Sequence, residues 1–140
     1  GIPGLPLKIG RPEYEVHLLE SKAKKISFLK YIIRKLGLKG IKACKGRAEQ
    51  RDDLPTLFHF YDIVTVRALA HLKKTLTICS SYLEAGGLLV AFKGSNVDRE
   101  IEESEQLMKE LHLNISNKVL YSLPETPGKR CLLILKKEKA

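Results

Sequence analysis

Cysteine is scarce in this chain, and the three it has fit no scaffold. Cys44, Cys79 and Cys131 are odd in number, widely spaced and never in a Cys-x-x-Cys pair, which argues against a disulfide framework or a zinc ribbon. Each stands among apolar neighbours, as buried structural thiols do, a usage that suits a reducing cytosol. The four histidines, His17, His59, His71 and His112, lack metal-ligand spacing, so no metal is expected. No apolar run approaches the ~20 residues of a membrane span, and no signal-peptide pattern opens the chain. Internal repeats, low-complexity segments and domain linkers are also absent. The most informative absence is of negative charge. Between Glu20 and Glu49 there is no acid, while the same stretch holds ten cations: Lys22, Lys24, Lys25, Lys30, Arg34, Lys35, Lys39, Lys42, Lys45 and Arg47.

What remains is a globular composition. At 140 residues, 44% hydrophobic and 29% charged, the length predicts a single domain over residues 1–140 with a real hydrophobic core. The net charge is +9, and six of the sixteen acids gather between Asp98 and Glu110. A segregated positive field of this kind draws in polyanions, nucleic acid above all.

The chain opens on Gly1-Ile2-Pro3-Gly4-Leu5-Pro6-Leu7-Lys8-Ile9, which reads as the second half of a glycine-rich turn entering a short helix. Leu5, Leu7 and Ile9 are expected to pin that helix onto a sheet. Tyr14–Glu20 reads as a strand, with Ser21 as N-cap of a helix from Ala23 whose inner face is Ile26, Leu29, Ile33 and Leu36. Gly37 closes that helix, and its other face carries Lys24, Ser27, Lys30, Tyr31, Arg34 and Lys35. Ile41–Cys44 is a second strand leading into Gly46-Arg47-Ala48-Glu49, followed by loop to Phe60 with a turn of helix around Asp52–Leu57. Tyr61–Val66 is a β-branched strand, then Arg67-Ala68 and an amphipathic helix over Leu72–Leu83. Gly86-Gly87 reads as a turn into Leu88–Phe92, a strand apolar enough to be buried on both faces, which Lys93-Gly94 ends. Asp98–Leu111 reads as one acidic helix with Ile101, Leu107, Met108 and Leu111 inward. Ile115–Leu123 and Arg130–Lys137 close the chain as a hairpin. The alternation predicts an α/β fold, a mostly parallel sheet with helices on both faces and a C-terminal antiparallel hairpin.

In open parallel sheets the ligand lies at the carboxyl ends of the strands. The polar or open positions there are Gly1–Gly4, Glu20-Ser21, Arg47-Ala48-Glu49, Arg67 and Lys93. Glu20, nineteen residues after Gly1, stands where an acid accepts both hydroxyls of a ribose; it is equally placed to cap the next helix. Dinucleotides and S-adenosylmethionine both fit a glycine turn plus a strand-end acid, and the closing hairpin favours the second. Tyr31 and Lys35 have a Tyr-x-x-x-Lys spacing used by some dehydrogenases, but it falls too early in the fold to be more than chance. No Asn/Asp-Pro-Pro-Tyr follows Val66, which counts against exocyclic-amine methylation, and no cysteine stands there for a covalent route to C5-methylcytosine.

Five segments in register carry a resemblance: Gly1-Ile2-Pro3-Gly4-Leu5-Pro6-Leu7, Val16-His17-Leu18-Leu19-Glu20-Ser21, Gly46-Arg47-Ala48-Glu49, Val66-Arg67-Ala68 and Phe92-Lys93-Gly94. Together they resemble the RsmG (GidB) family of bacterial 16S rRNA guanine-N7 methyltransferases, with similarity running to the Arg130–Ile134 strand. The resemblance implies a Rossmann-like class I methyltransferase that uses S-adenosylmethionine and acts on 16S rRNA or the small ribosomal subunit. The cysteine usage points to the cytoplasm, and since nothing in the sequence demands an oligomer, a monomer is expected. It implies cofactor contacts at Gly1, Ile2, Gly4, Glu20, Ser21, Ala48, Glu49 and Arg67, with Arg67 also the catalytic candidate. Lys24, Lys30, Arg34, Lys35 and Lys93 are candidates for RNA phosphates, as is the Lys136-Lys137-Glu138-Lys139 tail. The family pattern begins with a strand and a helical segment that precede Gly1. The absent strand would be central, flanked by those ending at Glu20 and Val66, so an upstream extension and an incomplete cofactor site in these 140 residues are expected. The competing readings are another class I methyltransferase, or a truncated RNA-binding remnant without activity.

Overall fold

A computed structural model describes residues 3–54, 60–67 and 71–139. The elements in order are α1 (Gly4–Gly10), β1 (Val16–Glu20), α2 (Ala23–Lys35), β2 (Ile41–Lys45), a 3-10 segment (Ala48–Asp53), β3 (Tyr61–Arg67), α3 (Leu72–Ser80), β4 (Leu83–Lys93), α4 (Val97–Glu103), α5 (Glu105–Glu110), β5 (Leu113–Tyr121) and β6 (Arg130–Lys137). The chain divides into two compact units, Gly1–Phe58 and His59–Ala140. Hydrogen bonding likewise divides the strands into a two-stranded sheet, β1-β2, and a four-stranded sheet of order β3-β4-β6-β5; β1 and β3, expected to flank a strand absent from these residues, are edge strands of different sheets.

In the first unit β1 and β2 run parallel, register Val16↔Ile41 to Glu20↔Lys45. The helix α1 meets β1 through glycine: a Cβ at Gly4 would overlap the Leu18 side chain. The inward residue one turn later is Lys8, not the expected Leu7 and Ile9, which are exposed. The i, i+4 spacing places Lys8 on the Gly4 face. The residue is only 4% exposed there, and Nζ donates to the carbonyls of Pro12 (2.7 Å) and Tyr14 (2.5 Å), fastening the loop into β1. In α2 the apolar positions Ile26 and Leu29 are buried, as the spacing predicts, whereas Leu36 is exposed at the C-cap. Gly37 takes φ +62, Gly37 N donates to Arg34 O and Leu38 N to Ile33 O, the paired bonds of a Schellman closure that only a residue tolerant of positive φ permits cheaply.

The second unit holds the larger core. Leu72, Leu76 and Cys79 of α3, Leu83, Leu89 and Ala91 of β4, and Cys131, Leu133 and Leu135 of β6 are buried together with Val97, Met108 and Leu113. The strands β3 and β4 are parallel, and β4-β6 and β6-β5 antiparallel, so the C-terminal hairpin is as expected. Two boundaries differ from the sequence reading. The Gly86-Gly87 pair lies inside β4 rather than before it. There the register with β3 shifts between Tyr61↔Leu83 and Ile63↔Leu88, Gly86 adopts φ +84, and a Cβ at Gly87 would come within 2.8–3.1 Å of the carbonyls of Glu84, Tyr61 and Asp62. The expected single acidic helix is two, broken at Ser104. This serine is fully buried and its Oγ donates to Glu100 O at 2.6 Å, a back-bond that bends a helix.

Candidate functional site

The carboxyl ends of the parallel strands place the candidate residues in each unit. In the first, β1 ends at Glu20 and β2 at Lys45, paired in register, and Gly46 N donates to Glu20 O at 3.0 Å. That bond brings the Gly46-Arg47-Ala48-Glu49 turn to the same edge as Glu20. Gly46 suits that position, since a Cβ there would displace the buried Leu54 side chain. The Glu20 carboxylate accepts the backbone N–H of Lys22 through Oε1 at 3.1 Å. It therefore caps α2 in the manner weighed from the sequence, and Lys22, not Ser21, is the N-cap residue. The second carboxylate oxygen is left as an acceptor on a half-buried side chain. A strand-end acid, an acceptor for ribose hydroxyls, beside a tight glycine turn fits a ribose-bearing cofactor. Gly4 sits against β1, a contact that suits the close helix–strand packing role of the last glycine in such a loop. Ser21 and Glu49 are exposed and Ala48 half-buried. Gly1 and Ile2 lie outside the described residues.

In the second unit Arg67 ends β3, exposed, opposite Phe92 of β4. Ala68 lies outside the described residues. Lys93, the last residue of β4, behaves otherwise than an RNA-facing lysine would. Its Nζ lies 2.9 Å from Glu100 Oε1, the two side chains being only 10% and 16% exposed. The same oxygen accepts Leu72 N at 2.7 Å, satisfying an orphan amide of the first turn of α3. Burial works against the charged form of Glu100, but the hydrogen bonds from Lys93 and Leu72, with the Lys93 and His71 charges, outweigh it and hold the carboxyl below its ordinary value. Lys93 thus ties β4 to α4. His71 continues this device as the N-cap of α3. In the neutral ring its Nδ1 accepts Lys73 N at 3.0 Å and Nε2 carries the proton that faces Glu103 at 3.1 Å; only the protonated ring adds its charge to the field at Glu100. Neither Glu100 nor His71 was singled out in the sequence. The only signal was an acid-rich stretch after a strand-end lysine. Lys137, part of the basic tail, likewise donates to the Ser80 and Leu83 carbonyls.

The remaining basic candidates, Lys24, Lys30, Arg34 and Lys35, are all exposed on α2. Among the described residues, no group of three or more His, Cys, Asp or Glu side chains gathers as a metal site. No described helix is long and apolar enough to cross a membrane.

Against known proteins, the sequence matches the GidB family model, described as rRNA small subunit methyltransferase G, over residues 1–125. It is 38% identical over 139 residues to the ribosomal RNA small subunit methyltransferase G of Lachnoclostridium phytofermentans, covering 99% of this chain and 57% of that protein. To the protein of the same name from Thermotoga sp. (strain RQ2) it is 39% identical over 142 residues, covering 98% and 59%. The chain therefore spans less than two thirds of the length of these relatives. In structure it is similar to StiE O-MT residues 961–1257 (TM-score 0.74, 17% identity, 99% of this chain and 64% of that one). It is also similar to cofactor-bound Rv0187 from MTB (TM-score 0.69, 16% identity, 93% and 64%). At these identities the likeness is one of fold, the α/β fold of class I methyltransferases.

Proposed function

This chain belongs to the GidB family, rRNA small subunit methyltransferase G, and from that premise we propose that it serves the transfer of a methyl group from S-adenosylmethionine to N7 of a guanine in 16S rRNA. The two units are parts of one methyltransferase domain in this reading, working as a monomer in the cytoplasm on rRNA or the small ribosomal subunit. The observation that carries it is the shared edge of β1 and β2, where Glu20 and the Gly46–Glu49 turn are joined by the Gly46 N to Glu20 O bond.

When bound, S-adenosylmethionine supplies an electrophilic methyl carbon. Gly1, Ile2, Gly4, Glu20, Ser21, Ala48 and Glu49 are the residues that hold it, Glu20 through ribose hydroxyls. Guanine N7 has a free lone pair and no proton to lose, so this chain needs no strong general base. Its contribution is orientation of the acceptor, an effect of proximity rather than of proton transfer. That role falls to Arg67, which is exposed at the end of β3. Its guanidinium has the planar donor set that grips a phosphate or the guanine edge, or a carboxylate of the cofactor. The exposed cations of α2 hold rRNA phosphates.

Transfer of a tritiated methyl group to 16S rRNA or small subunits tests this reading. Arg67→Ala is expected to cut turnover about tenfold or more, the loss of one charged positioning contact, with the circular dichroism spectrum unchanged. Full activity in that variant would refute the assignment. Methylation of a different acceptor would favour another class I methyltransferase, and RNA binding without transfer an inactive RNA-binding protein.

A further inference from the structure

One surface is not accounted for by these roles. The helix α2 carries two large aromatic side chains in water, Phe28 at 60% exposure and Tyr31 at 50%. A single exposed apolar residue needs no explanation, but these two are not scattered. Successive helical residues turn by about 100°, so Lys24, Phe28, Tyr31 and Lys35 fall within one stripe about 16 Å long, opposite the buried Ile26 and Leu29. Lys25 lies on one flank of the stripe, Lys30 and Arg34 on the other. The helix contains no Asp or Glu, and no acid occurs between Glu20 and Glu49. Among the described residues, none of these five cations is in an ion pair.

We propose that the Lys24–Phe28–Tyr31–Lys35 stripe is a platform for unpaired RNA bases, which stack on the Phe28 and Tyr31 rings while Lys24 and Lys35 hold the phosphates on either side. The charge calls for a polyanion, and rings without hydrogen-bond selectivity suit bases presented by their faces. Paired bases hide those faces, so the partner is a single-stranded segment and not a duplex. The inference rests on the reading of rRNA as the substrate and extends it to residues that touch neither cofactor nor target guanine.

Fluorescence anisotropy with a labelled single-stranded oligoribonucleotide tests it, alongside an abasic ribose-phosphate oligomer of equal length and anionic phosphatidylserine vesicles. Phe28→Ala with Tyr31→Ala should weaken RNA binding about 25-fold or more, since each of the two lost base stacks costs at least about fivefold. Tyr31→Phe should bind as the parent does. Lys24→Ala with Lys35→Ala should instead flatten the log–log salt dependence by about 1.4, or 0.7 per phosphate. Circular dichroism should be unchanged, because all four side chains are solvent-facing. Parent-like RNA affinity of the Phe28→Ala, Tyr31→Ala variant would overturn the proposal. So would equal binding of the abasic oligomer, or loss confined to vesicles. Measuring methyl transfer in parallel separates the two readings. A binding loss without any methyl transfer keeps the platform and removes the activity. Methyl transfer with RNA affinity unaffected by the ring substitutions removes the platform alone.

Discussion

In the first unit the apolar side chains withdrawn from water among the described residues are Leu18, Ile26, Leu29 and Leu54, strung along one strand, one helix and one loop. In the second, three helices and four strands close over Leu72, Leu76, Leu83, Leu89, Leu133 and Leu135, each essentially inaccessible. Charge is divided the other way. Among the described residues the cations of α2 are in no ion pair, while Lys93 and Lys137 of the second unit are drawn onto Glu100 and onto backbone carbonyls. The second unit uses these two lysines in its own architecture; the first seats Lys8 on the Pro12 and Tyr14 carbonyls but leaves the cations of α2 facing outward. Local stability follows the density of buried contacts, and binding surfaces are drawn from the less stable end.

The contrast is open to measurement. Leu133→Ala should lower the unfolding free energy by about 3–5 kcal/mol, since its tightly packed neighbours cannot collapse into the gap, and Leu29→Ala by about 2 kcal/mol. Urea titration of both variants reads this, and equal losses would erase the distinction between the units. Glu100→Ala should cost about 3 kcal/mol by removing the carboxylate that pairs with the largely buried Lys93 and accepts Leu72 N. The pH dependence has a definite sign. Because the folded carboxyl lies below its ordinary value of 4.5, the contribution of Glu100 is complete above pH 4.5 and is lost as pH falls through the lowered value. A Glu100→Gln variant should show a shallower loss of stability on acidification. Glu20→Gln keeps an acceptor for Lys22 N while removing the charge, so stability should stay within about 0.5 kcal/mol. Its affinity for S-adenosylmethionine by calorimetry should fall about tenfold, a loss of one charge-assisted hydrogen bond. Gly4→Ala should cost about 1 kcal/mol, as overlap with Leu18 exceeds the gain in helix propensity.

Much of this architecture was legible in the residues. The β-branched Tyr61–Val66 run and the apolar Leu88–Phe92 run found their strands, and the spacing of Ile26 and Leu29 found the buried face of α2, because periodicity and burial agree there. The candidate edge was legible through resemblance and through the rule that ligands sit at carboxyl ends. The failures share a cause. Lysine is a surface residue by type, so no sequence pattern marks Lys8 as buried and seated on the Pro12 and Tyr14 carbonyls. Gly86-Gly87 looked like a turn because glycine marks both turns and bulges, and the choice depends on a register that β3 sets. The break at Ser104 and the Lys93–Glu100 pair depend likewise on buried depth, which no local pattern encodes.

The buried cysteines of the second unit have a practical corollary. Burial pushes the Cys79 thiol up to about 12, and it raises that of Cys131 as well, with Lys118 opposing and Asp98 adding to the effect. Alkylating reagents attack the thiolate, so at neutral pH both sulfurs are silent while the surrounding core stays shut. Cys44, half-buried on β2, belongs to the other unit. The chain thus carries built-in stopwatches for each half: the order in which its thiols acquire a label under native conditions would time the opening of one unit against the other, without any probe being added.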